Sequence, residues 1–532
     1  MSNRKQNIKR ILGGLPLTAE IDWYLRHHGE AVRGFSLERL EEVLDTWVSQ
    51  AAASPYREED GKRVFIFGTQ RYWIDHAVLL GLALAGLGHK VTFAYLPFAD
   101  WRKPVDEFDL RQHALYARKV LAGTEPLVHS VSLLDYQQMD ALPPELALAV
   151  DGVSLRDVQY TQQQEDVDKK GALYKLRRKR NQQAARGALA WMQEHKPDVV
   201  ILPNGSIMEF GAIYEVAQYL SLPTVTYEFG EQRERVWLSQ QNPVMLQETD
   251  AMWAARKDLT FTEAQYEQIK ELFAVRQGAG LFQNFYRRWQ NLPAEGEDQV
   301  RAKLGLDERP IVLLATNVIG DSLTLGRQAF TDSMTEWLKR TVAYFASKPE
   351  AQFVVRIHPG ELQMQAGPSV AEVVDEVLPE VPKNIHVIAP GDEVNTYDLV
   401  AIADLGMVYT TTVGMEMAMS GVPVIVVGKT HYRGKGFTLD PSSWNEYLDL
   451  LDSALADLST VQMSKEQVDT AWHYAYRFFF DYPRPFPWHL VHLWNAVAEW
   501  PLARVLSEEG LTQYRQTFQY LTGKTLDWTQ VD

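Results

Sequence analysis

The run VYTTTVGMEMAMSGVPVIVVGKTHYRGKGFT, from Val408 to Thr438, decides the fold. Val408 and Tyr409 read as a strand end, and Thr410-Thr411-Thr412 as a hydroxyl-rich turn. Gly414 opens a short helix predicted over Met415 to Ser420. Gly421 stops it, and Pro423 starts a buried apolar strand from Val424 to Val427. Glycine past a helix end and proline at a strand start sit where their backbone preferences place them. Three hydroxyls and a helix N-terminus with free N–H groups suit an anion such as a phosphate. Glu416, in the first helical turn, lies where a ribose hydroxyl could reach it. A loop of glycines and cations follows, with Lys429, His431, Tyr432, Arg433 and Lys435. The plainer reading is an ordinary strand-loop-helix-strand unit of a parallel sheet.

Similar grammar occurs earlier in the chain. Arg63 to Gly68 (RVFIFG) reads as a buried strand, Thr69 to Tyr72 as the turn after it, and Trp73 to Leu87 as a helix closed by Gly88. Lys90 to Tyr95 is the next strand, which completes a β-α-β unit. No GxGxxG accompanies it, so a nicotinamide or flavin dinucleotide is not indicated. Residues 1 to about 60 and Trp101 to about Ala190 read as mainly helical. Pro197 to Pro203 and Pro223 to Tyr227 are strands, ending in Asn204-Gly205-Ser206 and Glu228-Phe229-Gly230-Glu231. Polar helical sequence continues to about Asp307, with a Pro-, Glu- and Gly-rich linker at Leu292 to Gln299. The second half then restarts the pattern. Strands are predicted at Pro310 to Ala315, Gln352 to Ile357 and Asn384 to Ile388, with helices at Thr331 to Ser347 and Thr396 to Ala403. After Pro441 the chain reads as helical. Ligands of open α/β sheets gather at the carboxyl ends of strands.

Composition narrows the function classes. A length of 532 residues predicts more than one domain. The net charge of −16 argues against a nucleic-acid partner. The absence of cysteine excludes disulfides, thiol catalysis and Cys-ligated zinc. The longest apolar run, Ala77 to Gly88, is too short to span a bilayer. The basic N-terminus, MSNRKQNIKRILGGLPL, reads as mature sequence rather than a signal peptide. The 15 tryptophans would suit a carbohydrate-facing cleft, but a large core is the preferred reading. A basic run of Lys169, Lys170, Lys175, Arg177, Arg178, Lys179 and Arg180 could attract an anionic glycan or a membrane surface. A solvated helix face is the reading favoured for it. Asp166-Val167-Asp168 matches a DxD metal pattern but has no strand leading into it. His489 and His492 lack a third ligand, so they read as packing residues.

Arg356-Ile357-His358-Pro359 is the sharpest signal in the second half. Pro359 restricts His358 to extended backbone at a strand end. An imidazole held there can donate to a phosphate oxygen as a leaving group departs. Arg356 alternates with it and adds charge. Two Rossmann-like halves with a helical tail describe the GT-B architecture, which serves both glycosyltransferases and sugar-nucleotide epimerases.

From Pro197 to Thr438 the chain resembles bacterial capsule polysaccharide biosynthesis proteins, including β-Kdo transferases. It is more distantly similar to bacterial sialyltransferases. The resemblance rests on Glu228-Phe229-Gly230, His358-Pro359, Thr410 to Thr412, Gly414-x-Glu416, Gly421-Val422-Pro423-Val424-Ile425, and Tyr432 before Gly434 and Gly436. It implies an inverting, metal-independent glycosyl transfer without a cofactor. Glu228 would be the general base on the acceptor hydroxyl, and His358 would stabilise the nucleotide phosphate. The middle position of the first motif is Phe229, where an acidic residue is common. That leaves the base open between Glu228 and Glu231, with Glu209 third. A retaining mechanism would want a second carboxylate at position 408, which is Val408.

The expected architecture is therefore α/β and GT-B-like, with two Rossmann-like domains facing a cleft. Residues 1–300 would form the acceptor domain with a helical N-terminal extension. Residues 301–470 would form the donor domain, and 471–532 a helical tail. The donor, a nucleotide sugar with CMP as a candidate nucleotide, would lie against Asn317, Arg356, Thr410, Thr411, Thr412, Gly414, Glu416 and Tyr432. The glycan acceptor would enter near Gln70, Arg71, Asn204 and Glu231. The expected location is the cytoplasm, with the membrane's inner face or an export complex as a peripheral partner. A 2-epimerase, a CDP-glycerol-type glycerophosphotransferase and an inactive nucleotide-sugar-binding homologue are the alternatives.

Overall fold

The apolar runs that lack alternation become strands buried on both faces, as parallel sheets flanked by helices require. The computed structural model describes residues 9, 11–32, 34–57, 60–136, 141–278, 292–363 and 367–530. Most of the basic N-terminal stretch, Met1 to Ile8, lies outside them. The chain divides into two compact units. The first comprises 1–158, 168–245 and 484–526, and the second 159–167, 246–483 and 527–532.

The first unit is built on β1 (Arg63–Thr69), β2 (Lys90–Leu96), β3 (Val128–Ser132), β4 (Val199–Pro203), β5 (Thr224–Glu228), β6 (Arg235–Ser239) and β12 (Arg484–Pro485). Their order is β12-β6-β5-β4-β1-β2-β3. The five strands from β3 to β5 are parallel, whereas β6 and β12 run antiparallel at one edge. The helix Arg71–Gly86 is buried continuously from Trp73. It packs against the sheet, the helix Glu38–Ala52 and the helix Leu502–Val505.

The second unit repeats the winding with β7 (Ile311–Ala315), β8 (Gln352–Arg356), β9 (Ile385–Ile388), β10 (Leu405–Val408) and β11 (Val424–Val426). All are parallel, in the order β11-β10-β7-β8-β9. In both sheets the winding reverses beside the first strand, between β1 and β4 and between β7 and β10. Such switch points open a crevice at the strands' carboxyl ends.

The α/β class holds, but the division differs from the expected one. The main segment of the second unit runs from Leu246 to Pro483, joined by 159–167, whereas the expected donor domain ran 301–470. The reason is packing. The helix Glu263–Gln277 lies against the helix Lys465–Tyr476, with Tyr266 and Phe273 on Trp472. The C-terminal residues do not form a separate tail either. Arg484 and Pro485 extend the first sheet by pairing with β6, and Trp488 is buried in that unit's core. Trp23, Trp47, Trp73, Trp191, Trp337 and Trp488 are buried in the cores. Among the described residues, no helix is long and apolar enough to cross a membrane.

Candidate functional site

In the second unit, the turns after β7, β8 and β10 are tied together by side chains. Thr316 follows β7, and its Oγ1 accepts the N–H of His358 at 3.0 Å. Asn317 accepts the N–H of Thr410 at 3.1 Å through Oδ1, which bridges the switch point. His358 is half-buried, and its Nδ1 accepts the N–H of Gly360 at 3.0 Å. A neutral ring held this way carries its proton on Nε2. Arg356 is buried and donates to the Ala389 carbonyl at 2.8 Å. Burial pushes its guanidinium down to about 10, so an added anion would be favoured there. Arg276, Thr316, Arg356, His358, Tyr397 and Val413 line one pocket at this edge.

Glu416 is buried behind that pocket. Its carboxylate accepts from Arg276 Nε at 3.0 Å and from the Tyr397 hydroxyl at 2.7 Å. Arg276 also donates to Thr412 Oγ1 at 3.1 Å. Burial, with the Glu416 charge beside it, holds the Tyr397 phenol well above its ordinary range. Arg276 and Tyr397 are the residues that sequence reasoning missed. Arg276 lies in a polar helix far from any motif and gives no local signal. Tyr397 had one, because Asn395 caps the helix Thr396–Ile402 at the carboxyl edge of the sheet.

The hydroxyl turn is more closed than expected. The helix starts at Val413, not Met415. The N–H groups of Gly414, Met415 and Glu416 fold back onto the carbonyls of Thr411 and Thr412 at 3.0–3.2 Å, so the expected free amides are engaged. The Thr410 hydroxyl donates to the Leu323 carbonyl at 2.9 Å. Thr411 is buried, and its carbonyl accepts the Tyr432 hydroxyl at 2.5 Å. Tyr432, expected against the donor, is fully buried and acts from behind the turn. Gly414 is there for space: a Cβ on it would stand 2.5 Å from the Tyr432 hydroxyl. The cationic loop is a clasp. Arg433 donates to the carbonyls of Val426 and Pro441, and Lys435 pairs with Asp250.

The first unit has its own cluster at the β1–β4 switch point. Gln70 follows β1 with φ 61 and ψ 147, a region almost confined to glycine, and accepts from the Tyr72 hydroxyl. Asn204 follows β4 with φ 57, and its Oδ1 accepts the Ser206 N–H at 3.0 Å. Its Nδ2 reaches Glu228 Oε2 at 3.4 Å. Glu228 ends β5, half-buried, and its Oε1 accepts the N–H of Phe229 at 3.1 Å. Burial raises its carboxyl to about 6, opposed by these two hydrogen bonds. The Phe229 ring packs on His489, with ring centres 4.9 Å apart, and on His76 at 5.2 Å. An apolar residue therefore fits the middle motif position because that position faces an aromatic cluster. Arg71 is exposed, and Glu231 is half-buried in the next turn. Glu209 is 1% exposed and bound to Arg177 at 3.0 Å, away from solvent.

The remaining motifs resolve simply. Asp168 Oδ1 accepts the Lys170 N–H at 2.8 Å in a turn. His489 caps the short turn Leu490–His492, and its Nε2 lies 3.1 Å from the Gly230 carbonyl, so the two histidines do not share a long helix face. Among the described residues no group of three or more His, Cys, Asp or Glu is placed to hold a metal ion.

Residues 254–464 match the model of the family described as "Capsule polysaccharide biosynthesis protein". No curated protein sequence matches the chain. Among solved structures, the chain is similar to the Thermosulfurimonas dismutans KpsC β-Kdo 2,4 transferase, at 17% identity and a TM-score of 0.34, over 55% of this chain and 82% of that one. The β-Kdo 2,7 transferase of the same KpsC aligns at 15% identity and 0.30, over 54% and 79%. The Neisseria meningitidis UDP-GlcNAc 2-epimerase aligns at 14% identity and 0.26, over 79% and 99%.

Proposed function

From the match of residues 254–464 to the capsule polysaccharide biosynthesis family, we propose that this chain is a glycosyltransferase acting on a nucleotide sugar and a glycan acceptor. The observation that carries the reading is the pocket of the second unit. It lies inside the matched stretch, at a switch point, and joins His358 to two arginines. In this reading the phosphate of the donor lies against Arg356 and His358. The Nε2–H of His358 donates to it as negative charge develops, which is the kind of preorganised stabilisation that lowers a barrier most. Thr316 and Val413 line the same pocket, the turn Thr410 to Thr412 leads into Val413 with Asn317 and Tyr432 holding it from behind, and Glu416 orients Arg276.

Glu228 is the base of the same reaction. Its carboxylate takes the proton of an acceptor hydroxyl, and that oxygen attacks the anomeric carbon. The bond from carbon to the phosphate oxygen breaks, and the nucleotide leaves with the electron pair. One displacement of this kind inverts the anomeric centre. A carboxylate raised to about 6 is ionised near neutrality yet more basic than an exposed one.

Thermal unfolding with CMP, CDP, UDP, GDP and their sugar conjugates tests the reading. A ligand at a hundred times its Kd should stabilise the chain by about 2.7 kcal/mol. No shift with any of them would remove the donor site. A nucleotide sugar whose sugar is epimerised without acceptor would move the chain to the epimerase class.

A further inference from the structure

The basic run of the first unit does not behave as one solvated face. Arg177 turns inward to Asp157, at 2.6 Å, and Glu209, and Arg180 donates to the carbonyls of Asp100 and Lys103. The other cations line an open groove of about 610 Å³ formed by the helices Pro144–Gln162 and Ala172–His195. Lys175, Lys179 and Arg186 recur at four- and seven-residue spacing, which places them along one helix face. Lys169 adds a fourth charge, while Leu148, Gly152 and Leu155 come from the opposite helix.

Asp151 is the acidic residue of the lining, and it is already satisfied. Arg178 holds it with two bonds, at 2.7 and 3.0 Å, and Gln182 adds a third at 3.2 Å. Among the described residues, the side chains of Lys169, Lys175, Lys179 and Arg186 make no ion pair or hydrogen bond. Four uncompensated cations thus share one groove on a chain of net charge −16. Lys175 and Lys179, four residues apart, are about 6 Å apart along the helix, and Arg186 lies about 10 Å beyond Lys179. The first spacing is less than, and the second close to, the roughly 8 Å over which salt screens charge at physiological ionic strength, so an anionic polymer lying along the helix meets all three.

We propose that this groove holds an acidic polysaccharide, as acceptor or product, at a site separate from the donor pocket. Its role in a reaction rests on the glycosyltransferase reading, but the binding does not. The shape favours a single chain over a membrane. The cations lie along a concave channel, which a linear polymer enters and a flat lipid surface does not. Leu148, exposed on the opposite helix, and the half-buried Leu155 offer apolar surface to the C–H faces of sugar rings, beside charges for the acid groups.

The test uses the full chain with two probes, polysialic acid and polygalacturonate, and neutral dextran as control. Binding is followed by thermophoresis at low and high salt. The Lys175→Glu/Lys179→Glu/Arg186→Glu variant should bind at least one polyanion tenfold or more weakly than the parent. Gly152→Trp is the second variant. A Cβ there meets nothing within 4 Å, so the ring fills the groove without changing charge. It should weaken binding to a similar degree, with the melting temperature unchanged. No binding of either polyanion, or binding equal in all variants, overturns the proposal. So does loss on charge reversal alone, with Gly152→Trp still binding; anionic phosphatidylglycerol vesicles following that pattern would mark a membrane contact. A chain that binds polyanions here but no nucleotide sugar would lose the transferase reading and keep the groove.

Discussion

Nδ1 of His358 accepts the backbone N–H of Gly360 at 3.0 Å. That bond makes the neutral ring a donor through Nε2, not a base. His358→Ala should therefore lower kcat/KM by roughly a hundred- to a thousandfold, the range for losing one donor to a developing anion. His358→Gln keeps an amide N–H near the ring's outer nitrogen and should lose clearly less. Initial rates with a nucleotide sugar and acceptor measure both. Equal losses in the two variants would exclude the donor role.

Glu228 gives the reaction its pH dependence. Its carboxyl is raised to about 6 by burial, and a base works only when ionised. The rate should rise with pH through about 6 and level off above it. Asn204 donates to the carboxylate and favours the charged form. Asn204→Ala should then shift the limb to higher pH. Glu228→Gln should lower turnover by about a hundred- to ten-thousandfold and erase the limb, with donor binding retained. A parent profile flat between about pH 5 and pH 8 would place the base elsewhere.

The Arg276–Glu416 pair makes a stability prediction. Both side chains are buried, at 8% and 3% exposure. Removing one partner of a buried pair commonly costs about 3–5 kcal/mol. Glu416→Ala should approach that in urea unfolding. Tyr397→Phe removes one hydrogen bond to the same carboxylate and should cost about 1.5–3 kcal/mol. Because Arg276 and Tyr397 line the pocket, both variants should also weaken nucleotide binding. Full stability in Glu416→Ala would show that the pair holds nothing together.

The sheet centres were legible because strands buried on both faces must be apolar throughout, as in Ile311 to Ala315 and Val199 to Pro203. His358-Pro359 was legible because proline marks a strand end. The edges were not. Val128 to Ser132 (VHSVS) is a partly exposed strand inside a stretch that reads as mainly helical. The pairing of β12 with β6 joins residues some 250 apart, and no local pattern announces it. The division into units differs from the expected boundary for a similar reason. The linker at Leu292 to Gln299 looked like a break, whereas the packing that assigns residues 250–277 involves Trp472, far along the chain. Glu416 was found as a carboxylate, but its partner Arg276 was not, because a buried ion pair leaves no mark at either end. Gly414 was read as a helix opener, when the atom that requires it belongs to Tyr432.

That last contact can be tested by a double-mutant cycle. A Cβ at position 414 would meet the Tyr432 hydroxyl at 2.5 Å and Val408 Cγ2 at 2.7 Å. Gly414→Ala must displace one of them, and overpacking of this kind costs about 1–3 kcal/mol. The Tyr432 hydroxyl is bonded to the Thr411 carbonyl, so the displacement should also loosen the threonine turn. Tyr432→Phe removes the nearer obstacle. Gly414→Ala should therefore destabilise the Tyr432→Phe background less than the parent. The coupling should fall within the 0.5–3 kcal/mol seen for touching residues. Urea denaturation of the four proteins reads it out. Additive losses would mean that Val408, and not the tyrosine, sets the limit on residue 414.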